Sequence, residues 1–185
     1  MDNKSNMSWD YAIRGLLDGT LATLGVVIGA RGAASAIIIA AGISGGVANS
    51  LSNILAAFSA QRANMLQNIK RVEDAMIEKD LDETSFYKKQ QHKVFIKSLM
   101  DGTATVLGAL VPVLPYFFFS PDLAMYTAIA ITSVLGFWIG IFMGKLSKQN
   151  IIYMGLKMAL IAIVVAGASA LLQNGLSTLL KSGVR

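Results

Sequence analysis

The chain has 185 residues, of which 54% are hydrophobic and only 15% charged, against about 25% charged in ordinary soluble domains. It contains no cysteine, which excludes a disulfide framework, a thiolate metal site and a cysteine nucleophile. The net charge of +5 follows membrane topology, as its distribution below shows, and needs no nucleic-acid partner.

Residues 1–10 are polar, include Asp2 and Asp10, and lack the basic and apolar regions of a signal peptide; they are expected to be a cytoplasmic N-terminus. Five segments then reach the roughly 20 residues needed to cross the hydrocarbon core. They are 11–30, 33–60, 94–119, 123–144 and 151–172. Residues 173–185 form a tail. The predicted fold is an all-α membrane protein with five transmembrane helices. Two spans occupy 11–60 and three occupy 94–172, and a short helical insertion, 61–93, separates helices 2 and 3.

Basic residues orient the bundle. With five spans, one side carries Lys4, Arg14, Arg62, Lys70, Arg71, Lys79, Lys88, Lys89, Lys93, Lys97, Lys145 and Lys148. The other carries Arg31, Lys181 and Arg185. This asymmetry places the N-terminus and the 61–93 insertion in the cytoplasm and the tail on the far side, in a multi-pass protein of the cell membrane.

The first span contains a pattern that returns in the third. Residues 13–25 and 96–108 are identical at 7 of 13 positions, at an offset of 83. The shared residues include Asp18-Gly19-Thr20 and Asp101-Gly102-Thr103. Both spans begin on the cytoplasmic side, so the repeat of helices 1-2 and 3-4 is parallel, with helix 5 extra. A carboxylate inside hydrocarbon costs about 2.5–3.5 kcal/mol on insertion scales, and its retention points to function. Asp18 and Asp101 are therefore candidate pathway residues, with Thr20 and Thr103 as further oxygens. Such an oxygen set suits a hard or borderline divalent ion. A second reading pairs each acid with the base four residues before it: Arg14 with Asp18, Lys97 with Asp101.

Span two carries no charge but has a polar stripe that includes Asn49 and Asn53, one turn apart on one face. They can supply amide oxygens to an ion, or join helices by hydrogen bonds. The insertion holds 6 of the 11 acidic residues. Glu73, Asp74 and Glu78 are candidates for cytoplasmic metal capture, or else part of a solvated charged face. The apolar residues of the insertion fall near helical spacing, with a break at Leu81-Asp82-Glu83-Thr84. Lys157 lies about as deep in span five as the two aspartates in theirs. It is either a counter-charge for proton coupling, together with Arg14 and Lys97, or a snorkelling interfacial lysine. Gly136, Gly140 and Gly144 form a small-residue stripe suited to close helix packing or a dimer seam. His92 is the only histidine, so no His/Cys metal motif can be built. No Walker loop is present, and an enzyme is the least supported class.

Two longer runs carry a family resemblance. Asp18-Gly19-Thr20-Leu21-Ala22-Thr23-Leu24-Gly25-Val26-Val27-Ile28-Gly29 resembles the first-span motif of the vacuolar iron transporter (VIT) family. Leu107-Gly108-Ala109-Leu110-Val111-Pro112-Val113-Leu114-Pro115-Tyr116 is similar to its third-span signature, and Gly155-Leu156-Lys157-Met158 to the start of its fifth span. The resemblance, to a divergent prokaryotic-type member, implies a five-span homodimer that exports Fe²⁺ or Mn²⁺ from the cytosol in exchange for protons. It implies no permanently bound cofactor, Asp18 on the pathway, and metal collection by glutamates after span two. Where the family's second span has Met and Glu, this sequence has Asn53 and Ala57. Asp101 is expected to stand in for the missing acid, and an oxygen-only site fits Mn²⁺ or Mg²⁺ better than Fe²⁺. A non-transporting membrane scaffold and a passive cation channel are the alternatives.

Overall fold

The structure, a computed structural model, describes residues 6–75 and 84–183. Its elements are α1 (Asn6–Gly29), α2 (Ser35–Ala75), α3 (Ser85–Val113), a 3₁₀ turn (Leu114–Phe117), α4 (Pro121–Leu146) and α5 (Ile151–Gly183). No strand occurs among the described residues. All five helices are long and apolar enough to cross a membrane.

Each turn has a local cause. After α1 the chain reverses at Gly32, whose φ of 95° is open to glycine and costly for other residues. Thr84, the last residue of the expected break, caps α3: its hydroxyl accepts from the Tyr87 N–H at 3.3 Å. Leu81, Asp82 and Glu83 lie outside the described residues. Pro112 has no N–H to donate, and the α-helix gives way to the 3₁₀ turn at the next Leu-Pro pair. Pro121 opens α4 with Asp122 in its first turn, where a negative charge suits the helix dipole. Asn150 opens α5, its Oδ1 accepting from the N–H groups of Ile152 and Tyr153 at 3.2 and 3.3 Å.

α2 runs unbroken for 41 residues, roughly 60 Å at 1.5 Å per residue and about twice the hydrocarbon thickness. Its last 15 residues, 61–75, are the start of the segment read as an insertion. There Met65 and Ile69 pack on Val94 of α3, with Phe58 and Tyr87 beside them. Gln61 donates to the Ser98 hydroxyl at 3.3 Å, and Ser50 to the Gly102 carbonyl at 2.7 Å, so α2 and α3 are stitched along their length.

The central contact is α1 against α3. It is close because glycines face backbone: a Cβ at Gly19 would overlap the Thr105 carbonyl, and one at Gly108 the Leu16 carbonyl. The main apolar core, with Leu24, Val27, Ile28, Ile38 and Val113, lies at the opposite end of the bundle from the N-terminus. The Gly136, Gly140 and Gly144 stripe packs on α5 of the same chain, against Ile151, Met154 and Met158. That stripe is thus an internal seam, not a free dimer face. Large apolar side chains such as Trp138, Ile152 and Leu171 point outward, as a lipid-facing surface requires.

Candidate cation site

Asp18 lies on the face of α1 that meets α2, and it is exposed on the single chain. Asn49 and Asn53, one turn apart on α2, each donate an amide N–H to its Oδ2 at 2.7 Å. Among the described residues no hydrogen bond reaches Oδ1. Asn53 also donates to the Thr105 hydroxyl at 3.0 Å, which in turn donates to the Asp101 carbonyl at 2.8 Å. A short polar chain therefore runs from Asp18 to the backbone of the second repeat copy.

Asp101 has a different environment. It is 0% exposed and accepts a two-pronged contact from Arg14: Nε to Oδ1 at 3.3 Å, and a shorter contact to Oδ2. The guanidinium fork fits a carboxylate in this bidentate way. The base is thus shared across helices. Arg14 does not pair with Asp18, nor Lys97 with Asp101, as the same-helix reading expected. The reason is burial. An enclosed carboxylate without a partner is far more costly than one at the bundle surface, and the close α1–α3 crossing brings Arg14 to the enclosed one. Lys97 instead lies over the Tyr11 ring, 5.5 Å from its centre, with Arg14 at 5.8 Å from the same ring.

Several expected oxygens are used elsewhere. Thr20 is buried and donates to Leu16 and Gly108 carbonyls at 2.6 and 3.1 Å. Thr103 is exposed and bonds the Leu99 carbonyl of its own helix at 2.9 Å. Residues two apart on a helix point about 200° apart, so neither threonine shares a face with the acid before it. Asn49 and Asn53 present nitrogens, not oxygens, to Asp18. The hydroxyl that does join the site is Thr105, four residues after Asp101; that one-turn spacing was its sequence signal. Lys157 is exposed on α5 and forms no ion pair among the described residues. Glu73 and Asp74 end α2, while Glu78 lies outside the described residues. Among the described residues no three His, Cys, Asp or Glu side chains group as a metal site.

The arrangement has clear chemistry. Among the described residues, Asp18 keeps one oxygen free and no base bonds to it. Two amides steady its other oxygen and can offer their own oxygens by a half-turn of the amide. The base nearest in sequence is held by a different acid. Such a set of oxygens can coordinate a cation, and it opens at the surface of the single chain.

Comparison with known proteins agrees with the architecture. The VIT family model matches residues 56–174, which include α3 and α4 but begin after Asp18, Asn49 and Asn53. A protein of Methanocaldococcus jannaschii, "Uncharacterized protein MJ0645", is 46% identical over 159 residues, covering 84% of this chain and 83% of its own length. The chain belongs to the VIT family, and with it to the membrane proteins that transport metal ions.

Proposed function

We propose that this protein is a secondary transporter that exports a divalent cation, Fe²⁺ or Mn²⁺, from the cytosol in exchange for protons. The observation that carries the reading is Asp18: a carboxylate in a membrane helix, with a free oxygen, two amide neighbours and no bonded base. The cation would bind Asp18 Oδ1 together with the Asn49 and Asn53 amide oxygens. Protonation of Asp18 from the far side removes its charge and releases the ion. Asp101 is reassigned from ligand to holder of Arg14, because its oxygens already face the guanidinium. The terminal acids Glu73 and Asp74, with Glu78, would gather the ion at the cytoplasmic mouth.

An exposed aspartate facing lipid would bear the full cost of burial in hydrocarbon. A second copy placed against the α1–α2 face would cover it and bring a second Asp18 into the same space. This supports a homodimer with the pathway between its protomers, in a cell membrane and with the N-terminus cytoplasmic.

The test is flux into proteoliposomes with Mn²⁺ and Fe²⁺ offered separately, with and without a pH gradient. Uptake that needs both the gradient and Asp18 is expected. Uptake that ignores the gradient would identify a channel. Folded dimer with no flux of any divalent ion would leave the scaffold reading.

A further inference from the structure

At the N-terminal end of α1, a cavity of about 320 Å³ opens between α1, the extended half of α2 and the first turns of α3. Lys93 and Lys97 line it, one turn apart on α3 and so on one face. The other polar lining groups are the Tyr11 hydroxyl and amides, among them Asn64 and Asn68 of α2 and Gln90 of α3. Among the described residues no carboxylate lines it. Neither lysine forms an ion pair among the described residues. Asp10 is the acid that acts on Lys97 from a distance, while Lys93 acts on it in the opposite sense.

This is an unusual mouth for a cation path. Lys97 lies over the ring of Tyr11, which is two helical turns before Asp18 on α1, so its ammonium group stands about 10 Å to the N-terminal side of the proposed site. Like charges one turn apart on a helix repel each other. Together they would also repel an approaching divalent ion. An anion in the cavity would relieve both problems. The cavity supplies what a phosphate accepts: two ammonium groups and several amide N–H donors, arranged around a space large enough for it. Its level, where α2 and α3 leave the apolar zone, is that of lipid headgroups, and basic pockets between helices on the cytoplasmic side suit anionic ones.

We infer that this cavity binds a phosphate-bearing anion, either the headgroup of an anionic phospholipid or a small soluble phosphate. The electrostatic need rests on the cation site proposed above, whereas the binding is measured without metal and stands or falls by itself. The experiment titrates the purified full chain in neutral detergent with phosphatidylglycerol, phosphatidylcholine and inorganic phosphate, following the thermal midpoint.

Saturable stabilisation by phosphatidylglycerol, and not by phosphatidylcholine, is expected, with affinity weakened at least about tenfold in Lys93→Gln/Lys97→Gln. Asn68→Asp, which adds a negative charge with little change of shape, should weaken it as well. Lys145→Gln/Lys148→Gln removes two bases from the α4–α5 turn and should leave it unchanged. Saturable binding of inorganic phosphate with the same variant pattern would support the site and identify its ligand as soluble. No saturable binding of either anion, or equal loss in the Lys145/Lys148 variant, would overturn the inference.

Discussion

Asp18 and Asp101 occupy equivalent places in two copies of one pattern, yet the fold gives them opposite environments. Asp101 is enclosed between α1 and the rest of the bundle, and a bidentate arginine neutralises it. Asp18 is at the surface, held by neutral amides, with an oxygen to spare. Their sequence neighbours differ by little: Arg14 against Lys97. The difference comes from what lies outside each helix. α3 is covered by both α1 and α2, whereas the Asp18 face of α1 meets only the polar stripe of α2. A duplicated acid therefore does not duplicate an environment; one copy is held by an arginine, and the other keeps an oxygen without a hydrogen bond among the described residues.

The largest effect is expected at Asp18. Asp18→Asn should reduce cation flux to background while the protein still folds, because the amide keeps the shape and loses the charge. The next largest effect concerns the Arg14–Asp101 pair. Arg14→Gln leaves an enclosed carboxylate unpaired and should destabilise the protein by about 3 kcal/mol, seen as a lower thermal midpoint. Asp101→Asn frees Arg14, whose alternative acceptor is Asp18 one turn away. Cation affinity should fall about tenfold, or roughly 1.4 kcal/mol. Arg14→Gln added to Asp101→Asn should restore both affinity and midpoint. Additive losses in the double variant would show that the pair is not a unit.

Smaller effects sharpen the contrast around Asp18. Asn53→Ala removes bonds to both Asp18 and Thr105 and should cost more cation affinity than Asn49→Ala, by about 1 kcal/mol in an isothermal titration. Thr103→Val should change affinity by less than about 0.5 kcal/mol, since its hydroxyl only bonds its own helix at the surface. A large effect there would return that threonine to the site.

The architecture was legible because membrane helices announce themselves by length. Apolar runs of about 20 residues separated by charged turns leave little choice. The glycines of the α1–α3 contact were visible as a motif, although which helix they met was not. Asp18 was legible because a charge in an apolar run is costly. The Arg14–Asp101 pair was not. Its same-helix competitor has ideal i, i+4 spacing, and only the crossing of two helices decides between them. Thr20 and Thr103 were misplaced for a reason open to inspection, since residues two apart cannot share a helix face. Thr105 was within reach of the same argument, four residues after Asp101. The stripe at Gly136, Gly140 and Gly144 suggested a partner correctly, but that partner is α5 of the same chain. Composition states that small residues want a close neighbour, without saying whose.

Separation of the two repeated acids into a binding group and an anchor predicts a specific pattern of Mn²⁺ flux into proteoliposomes carrying Asp18→Asn or the Arg14→Gln/Asp101→Asn double variant, each checked for folding. Background flux in the first and near-normal flux in the second is the expected result. Normal flux in Asp18→Asn, with the double variant inactive though folded, would contradict it and move the cation to Asp101.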